Sequence, residues 1–134
     1  DLCILNYLIG NTDNHVKNIA LLYSEDLKGI RLAPAYDLLS TVIYDSSTEK
    51  MSLNIDGEYD IRNINQKSFE NEAKKLGLGK GIATQHFLSM VEKFEMALEQ
   101  STYELEEQGY GVAVDIQKQI LKKAGIHNFK LTNP

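Results

Sequence analysis

The chain has 134 residues, of which 43% are hydrophobic and 25% charged, a composition typical of globular proteins and unlike that of disordered ones. This length predicts a single domain over residues 1–134 that is large enough to bury a core. The net charge of −5 argues against direct nucleic acid binding, since gripping a polyanion requires a basic face. A single nucleotide can still bind to such a chain through a metal ion.

The sequence contains no apolar run near the ~20 residues of a membrane span and no signal peptide, so we expect a cytoplasmic protein without membrane contact. Cys3 is the only cysteine, which excludes intrachain disulfides and zinc sites built from cysteines. It lies in an apolar stretch, and we expect it to be buried. The chain begins at Asp1, inside a segment that reads as a helix, and we expect it to be part of a longer protein.

The first half of the chain combines short apolar segments with polar loops. Residues 2–9 are almost wholly apolar up to Gly10, and periodicity leaves open whether they form a buried helix end or a buried strand. Residues 11–18 are polar and rich in turn formers, which predicts a loop. Residues 19–23 and 29–33 flank a polar segment, which predicts a β-hairpin.

Three further features of this half follow the hairpin. Pro34 bars the second strand from continuing as a central strand. Residues 36–44 have a mixed pattern that can hold a short helix. Residues 51–55 alternate between apolar and polar side chains before Asp56-Gly57, which predicts a short strand that ends in a turn.

The second half of the chain is predicted to be helical. Three helices follow from the apolar spacing and the capping residues: 66–76 with Asn65 as N-cap, 81–101, and 111–124 ended by Gly125. Residues 77–81 are glycine-rich but lack the spacing of a phosphate-binding loop, so they read as a helix–helix connection. The tail over residues 128–134 is expected to be a frayed end.

The polar loop and a later aspartate have a spacing that predicts phosphoryl transfer. Asn18 follows Asp13 by five residues, and Asp37 lies nineteen residues further on, after the hairpin. Protein kinases use this order: one carboxylate takes the proton of the acceptor hydroxyl, while an asparagine and a second aspartate hold Mg²⁺ against the phosphates. Lys17, beside Asn18, is placed to contact a phosphate oxygen.

Purely structural interpretations of the same residues stand beside this hypothesis. The sequence around Asp13 also suits a simple Asx-turn. Asp37 can serve as the N-cap of a helix over residues 38–41. His15 by itself is typical of a loop or capping histidine, and the three scattered histidines build no zinc site.

The motifs that carry this spacing also resemble a known family. IGNTDNHVKN (residues 9–18) looks like the catalytic loop of the HipA-like kinases, and LAPAYDLLS (residues 32–40) looks like their metal-binding segment. MSLNIDG (residues 51–57), followed by Phe69 and Ala73, is similar to the segment after that metal site. The resemblance covers nearly the whole chain.

The resemblance implies the C-terminal lobe of a protein-kinase-like fold, here mainly α-helical with a small β-hairpin (α+β). It also implies ATP- and Mg²⁺-dependent phosphorylation of a serine or threonine hydroxyl. Asp13 matches the proton acceptor of the family, and Asn18 and Asp37 match its magnesium ligands. Three further positions match residues that line the nucleotide site: His15, Lys17 and Tyr36.

The family also implies partners. Its members are toxins neutralised by a helix-turn-helix antitoxin, and the implied substrate is an aminoacyl-tRNA synthetase or another translation factor. The 134 residues lack the glycine-rich loop and strand lysine of a complete kinase, so we expect this fragment alone to have little or no activity. Two alternatives stay open: a pseudokinase or docking module that binds an antitoxin, and a helical domain whose loop residues match by coincidence.

Overall fold

A computed structural model describes residues 1–132 of the chain, about half of them helical, together with two small antiparallel hairpins. Along the chain the elements are helix α1 (Leu2–Ile9), a 3₁₀ turn (Val16–Asn18), strands β1 (Leu21–Tyr23), β2 (Ile30–Leu32), β3 (Lys50–Ile55) and β4 (Glu58–Asp60), and helices α2 (Gln66–Lys75), α3 (Lys80–Glu107), α4 (Val112–Lys123) and α5 (Gly125–Thr132). The predicted α+β class is confirmed, although the structure has two hairpins and the sequence predicted only the first.

Helix α1 decides the question that periodicity left open for residues 2–9. Ile4, Tyr7 and Leu8 are buried, which is the i, i+3, i+4 spacing of one helix face. The same spacing turns Cys3 outward, so the expectation that Cys3 is buried was wrong. The helix ends at Gly10, whose φ of 74° lies in the left-handed region that glycine adopts without strain.

The two hairpins differ in how they pack. In the first, Leu22 pairs with Arg31 at the centre of the predicted β1–β2 hairpin, and all six strand residues are exposed. In the second, β3 buries Met51 and Ile55. The predicted turn at Asp56-Gly57 is confirmed, and it returns the chain into β4, a strand that the sequence did not reveal.

The segment between the hairpins contains no helix, so the predicted short helix over 36–44 was wrong. Its backbone is instead bonded to the end of α1, because the N–H groups of Thr41 and Val42 donate to Gly10 O at 3.0 and 3.1 Å. The interpretation of Asp37 as the N-cap of a helix over residues 38–41 was therefore wrong as well. We call residues 41–49 the post-hairpin segment.

The helices of the second half follow their predicted starts but not all of their ends. The Asn65 side chain accepts the Lys67 N–H at 3.0 Å and caps α2 as predicted. A connection between α2 and α3 is present as expected, but it covers residues 76–79, since residues 80–81 of the predicted connection already belong to α3. Helix α3 continues to Glu107, beyond the predicted end at residue 101. Ile116 of α4 is exposed, whereas Ala113 and Ile120 of the same helix are buried.

The C-terminal region differs most from its prediction. Gly125 was expected to end a helix, and it does follow α4, but it also begins α5. Residues 128–132 are therefore helical instead of frayed, and residues 133–134 lie outside the described part. A side chain at Gly125 would overlap the ring and carbonyl of Tyr7, so glycine lets α5 approach α1 closely.

The core forms where α1, α2, α3 and α5 meet. Tyr7 is fully buried, its ring contacts Phe69 and Phe87, and its hydroxyl donates to Ile64 O at 2.8 Å. Burial raises the pKa of the Tyr7 hydroxyl well above its usual range. Since α1 is anchored here, the loop that leaves its C-terminal end starts from a rigid base.

Candidate active site

The loop after α1 is a compact series of turns. The His15 N–H donates to Asp13 O at 2.9 Å, and the Asn18 N–H donates to His15 O at 3.0 Å, which closes the 3₁₀ turn. Strand β1 begins three residues later, so Asn18 lies at the base of the first hairpin. The predicted loop over residues 11–18 is confirmed, with this 3₁₀ turn inside it.

The hairpin brings the second predicted segment back to the same place. Asn18 Nδ2 donates to Asp37 Oδ2 at 2.7 Å and reaches Asp13 O at 3.4 Å. At the hairpin base, the Ala33 N–H donates to Ala20 O at 2.9 Å. The Asn18 amide therefore joins both predicted segments, contacting the side chain of Asp37 and the backbone of Asp13.

Tyr36 links the same two segments through a second contact. Its hydroxyl donates to Lys17 O at 3.0 Å, and its ring is half-exposed beside the loop. The Lys17 side chain is exposed, and within residues 1–132 its ammonium has no ion-pair partner. Tyr36 thus fixes the backbone on which Lys17 and Asn18 stand.

Asp13 and His15 are near neighbours at the loop surface. Asp13 Oδ1 lies 3.7 Å from His15 Nε2, and the Asp13 side chain is 63% exposed, which leaves its carboxylate open to a second molecule. The Nδ1 atom of His15 is buried and has no hydrogen-bond partner among the described residues. The structure brings all six predicted site residues into one loop–hairpin junction: Asp13, His15, Lys17, Asn18, Tyr36 and Asp37.

Asp37 has an unusual backbone that a buried asparagine holds. Its φ is 56°, in the left-handed region that aspartate tolerates better than most residues. The buried Asn11 side chain donates through Nδ2 to Asn6 Oδ1 at 3.0 Å and to Asp37 O at 3.1 Å. Sequence reasoning missed Asn11, although Asn6, a lone amide in an apolar helix, signalled a buried polar partner.

A second polar network fixes the start of the loop. Thr41 Oγ1 accepts the Thr12 N–H at 2.7 Å and donates to Gly10 O at 3.1 Å. On the other side of the loop, Thr12 O accepts the Ser52 N–H at 2.8 Å. Strand β3 and the post-hairpin segment therefore hold the loop over residues 11–18 from both sides. The sequence of the loop alone does not indicate these two contacts.

The donor set at the junction fits a magnesium ion shared with phosphates. Asn18 has an amide oxygen and Asp37 a carboxylate to offer, both hard oxygen donors, although here it is the Asn18 Nδ2 group that donates to Asp37 Oδ2. Within the described residues, no group of three or more His, Cys, Asp or Glu side chains could hold a metal by itself. Mg²⁺ takes one or two carboxylates and completes its octahedron with phosphate oxygens and water, so Asn18 and Asp37 could form only part of its coordination shell.

Comparisons with known proteins identify the fold of this chain and the family to which it belongs. The chain superimposes on HipA from a complex of Shewanella oneidensis MR-1 HipA, HipB and operator DNA with a TM-score of 0.78 at 21% identity, covering 96% of this chain and 30% of that one. The fold is thus the C-terminal lobe of a kinase-like fold, as predicted. Residues 1–101 match the model of the HipA-like C-terminal domain, and the chain belongs to that family.

Two curated relatives from Sinorhizobium fredii agree with this assignment. The protein named "Putative kinase Y4mE" is 33% identical over 92 residues, which is 69% of this chain and 21% of the relative. "Putative kinase Y4dM" is 31% identical over 96 residues, or 72% of this chain and 23% of the relative. The chain therefore spans about a fifth of the length of these relatives. In residues 1–132, no helix has the length and apolar character needed to cross a bilayer.

Proposed function

We propose that the chain is the catalytic C-terminal lobe of a HipA-type serine/threonine-protein kinase that transfers the γ-phosphate of ATP to a protein hydroxyl with the help of Mg²⁺. The observation that carries this proposal is the 2.7 Å contact between Asn18 Nδ2 and Asp37 Oδ2, with Asp13 O at 3.4 Å from the same amide. Kinase chemistry needs a proton acceptor and two metal ligands within one site, and the proposal assigns these roles to Asp13, Asn18 and Asp37.

Each side chain then has a distinct role. The exposed Asp13 carboxylate accepts the proton of the substrate hydroxyl, a role that requires access from solvent. Asn18 and Asp37 hold Mg²⁺, which when bound neutralises charge on the phosphates. The remaining site residues line the nucleotide: His15, Lys17 and Tyr36.

The unpaired Lys17 ammonium suits the phosphate side of such a nucleotide. In the proposed arrangement it offers a positive charge to a phosphate oxygen, and the Tyr36 bond to Lys17 O keeps the lysine backbone in place. The glycine-rich loop and the strand lysine of a complete kinase are supplied by other parts of the whole protein. The 134-residue chain alone therefore has little or no transfer activity.

The partners proposed for the whole protein are a protein substrate and an antitoxin. The structural neighbour was solved in a complex of HipA, HipB and operator DNA, which supports an antitoxin of that type here. With a net charge of −5, this chain meets DNA through the antitoxin and not directly. An aminoacyl-tRNA synthetase or another translation factor is the proposed substrate, and the cytoplasm is the proposed location.

The test is phosphate transfer from labelled ATP by the whole protein that contains this chain. Asp13→Asn removes the proton acceptor and is expected to reduce labelling about 10²–10⁴-fold without changing the fold. Glu25→Gln, an exposed carboxylate at the hairpin tip, is the matched control and keeps full labelling. Equal labelling by Asp13→Asn and the unmodified protein would contradict the proposal. If neither is labelled while an antitoxin still binds, the protein is a docking module.

A further inference from the structure

A cleft of about 690 Å³ opens between the post-hairpin segment and the junction of α4 with α5, apart from the site proposed for catalysis. Four of its lining residues carry or can carry positive charge, in a chain whose net charge is −5: Arg62, Lys122, Lys123 and His127. Two carboxylates, those of Asp45 and Glu49, also line it. We call this feature the basic cleft.

The positively charged side chains of the basic cleft differ in how strongly they are paired with carboxylates. Arg62 contacts Glu49 at 2.7 Å and Asp60 at 2.6 Å, so its guanidinium is fully paired. Lys123 Nζ lies 3.5 Å from Asp45, whose side chain is fully exposed, and such a surface pair contributes little free energy. Lys122 has no carboxylate partner within residues 1–132. Two lysines are therefore available to a stronger anion.

A hydroxyl group lies in the same cleft. Ser47 is half-buried among the lining residues, and its Oγ donates to Tyr44 O at 2.8 Å. Its neighbour Ser46 is exposed and does not line the cleft. Of two adjacent serines, the turn thus places only Ser47 in the lining of the cleft that the lysines share.

We propose that Ser47 is a phosphorylation site whose phosphate is bound in the basic cleft by Lys122, Lys123 and His127. A phosphoserine carries about −1.5 to −2 charges at pH 7 and three strong acceptor oxygens, so it competes successfully with the single exposed carboxylate of Asp45. The phosphate joins the post-hairpin segment to the α4–α5 junction. Thr41 and Val42 of that segment bond to Gly10 O, so its order bears directly on the loop that carries Asp13.

The transfer step rests on the proposed kinase function. The Ser47 Oγ of one copy forms a bond to the γ-phosphorus of ATP bound to a second copy, and the bond from that phosphorus to the β,γ-bridging oxygen breaks. The hydroxyl proton passes to the Asp13 carboxylate of the second copy, and ADP leaves. The phosphate-binding cleft itself does not depend on this step, so the two parts are tested separately.

The cleft is tested by installing phosphoserine at position 47 of the whole protein and following its ³¹P resonance against pH. Two neighbouring cations should lower the second phosphate pKa from its usual value of about 6 by about half a unit or more. Phosphoserine at position 46 is the matched control and titrates normally. The double variant Lys122→Gln, Lys123→Gln should return the position 47 phosphate to the control value.

Two results would overturn the assignment. One is identical titration of the phosphates at positions 46 and 47 in a protein whose unfolding transition is unchanged. The other combines two observations: inorganic phosphate binds saturably to the unmodified protein, and the pKa of the phosphate at position 47 does not respond to the lysine variants. The cleft would then bind free phosphate and not phosphoserine 47.

A separate arm tests the transfer step by mapping phosphate after incubation with Mg²⁺ and ATP. Label on Ser47 that disappears in Asp13→Asn supports it, and label on other proteins without label on Ser47 overturns it. If nothing is labelled but the position 47 phosphate still titrates with the lowered pKa, the kinase proposal is contradicted while the phosphate-binding role of the cleft is supported.

Discussion

Asn18 Nδ2 lies 2.7 Å from Asp37 Oδ2 although nineteen residues separate the two in the chain. The contact places an amide and a carboxylate side by side at the base of the first hairpin. Asp37 adopts a φ of 56° at that point, and Asn11 holds its carbonyl group. The geometry of this pair therefore depends on backbone conformation and on a buried side chain, and each can be varied independently.

Replacing Asp37 separates its metal role from its backbone conformation. Asp37→Gly and Asp37→Ala both remove the carboxylate and are expected to abolish Mg²⁺-dependent nucleotide binding by the whole protein. The alanine variant should be about 1 kcal/mol less stable than the glycine variant, since only glycine accepts a positive φ without strain. Urea unfolding and nucleotide titration with and without Mg²⁺ measure the two effects.

Leu27 is the control for this comparison, since it has a φ of 57° and is 74% exposed at the hairpin tip. Its glycine and alanine variants should differ in stability as the Asp37 pair does, while Mg²⁺-dependent binding is unchanged. An Asp37→Gly protein that still binds nucleotide only with Mg²⁺ would exclude Asp37 as a metal ligand.

Asn11 is expected to position Asp37 without touching the substrate. In Asn11→Ala, Asn6 Oδ1 and Asp37 O lose their donor, which is expected to cost about 1–3 kcal/mol of stability. If about 1.4 kcal/mol of that falls on metal binding, half-saturation of transfer activity by Mg²⁺ rises about tenfold. Asn14→Ala removes another buried amide of the same loop, one that bonds to Leu53 N, and should leave the Mg²⁺ requirement unchanged.

Gly10 is expected to be, with Gly125, one of the two least replaceable glycines among the described residues. A Cβ atom there would overlap Val42 Cγ2 and lie 2.9 Å from Ala124 Cβ, at a φ of 74°. Gly10→Ala should therefore cost about 2–4 kcal/mol from overpacking and strain together. Gly77 has the same φ with nothing within 4 Å, so Gly77→Ala should cost about 1 kcal/mol. Equal losses in urea unfolding would show that the crowding around Gly10 is relieved by movement of α4 or the post-hairpin segment.

Asp60 should contribute stability at neutral pH that is lost in acid. Hydrogen bonds from the Arg62 guanidinium lower the pKa of Asp60 to about 2 from its usual value near 3.8. A lowered folded-state pKa contributes stability above the unfolded pKa, and this stability is lost as the pH falls from about 4 towards 2. Asp60→Asn should thus lower the free energy of unfolding by about 1 kcal/mol at pH 7 and by much less near pH 2, where the folded-state carboxylate becomes protonated. Denaturant unfolding at the two pH values measures this, with the fully exposed Asp45→Asn as control.

Signals carried by neighbouring residues in the sequence were enough to predict much of the fold. Asn65 marked the start of α2, and the polar segment between two apolar runs marked the first hairpin, because caps and turns are determined by adjacent residues. The post-hairpin segment could not be predicted in this way. The mixed pattern of residues 36–44 can hold a short helix, but the N–H groups of Thr41 and Val42 find a partner in Gly10 O, thirty-one residues from Thr41. Tertiary hydrogen bonds there replace the local ones.

In the candidate site too, the residues related by local spacing could be predicted and those related by tertiary contacts could not. Asp13, Asn18 and Asp37 are recognisable from their spacing, since the hairpin between them is short and regular. Asn11 was missed because its contribution depends on Asn6 and on the Asp37 carbonyl, which no spacing rule connects. Gly125 was interpreted as a stop signal, whereas its role in α5 comes from the close approach of Tyr7.

The exposed β1–β2 hairpin has a consequence for how such sites diverge. Its strand residues make no buried contacts, and the distance between Asn18 and Asp37 is fixed at its base, where Ala33 N–H meets Ala20 O at 2.9 Å. Residues inserted or deleted in pairs at the tip, around Leu27, would lengthen or shorten the ribbon without moving either side chain. The nineteen-residue interval is therefore a property of this ribbon's length, and related chains with longer or shorter intervals can present the same pair of ligands.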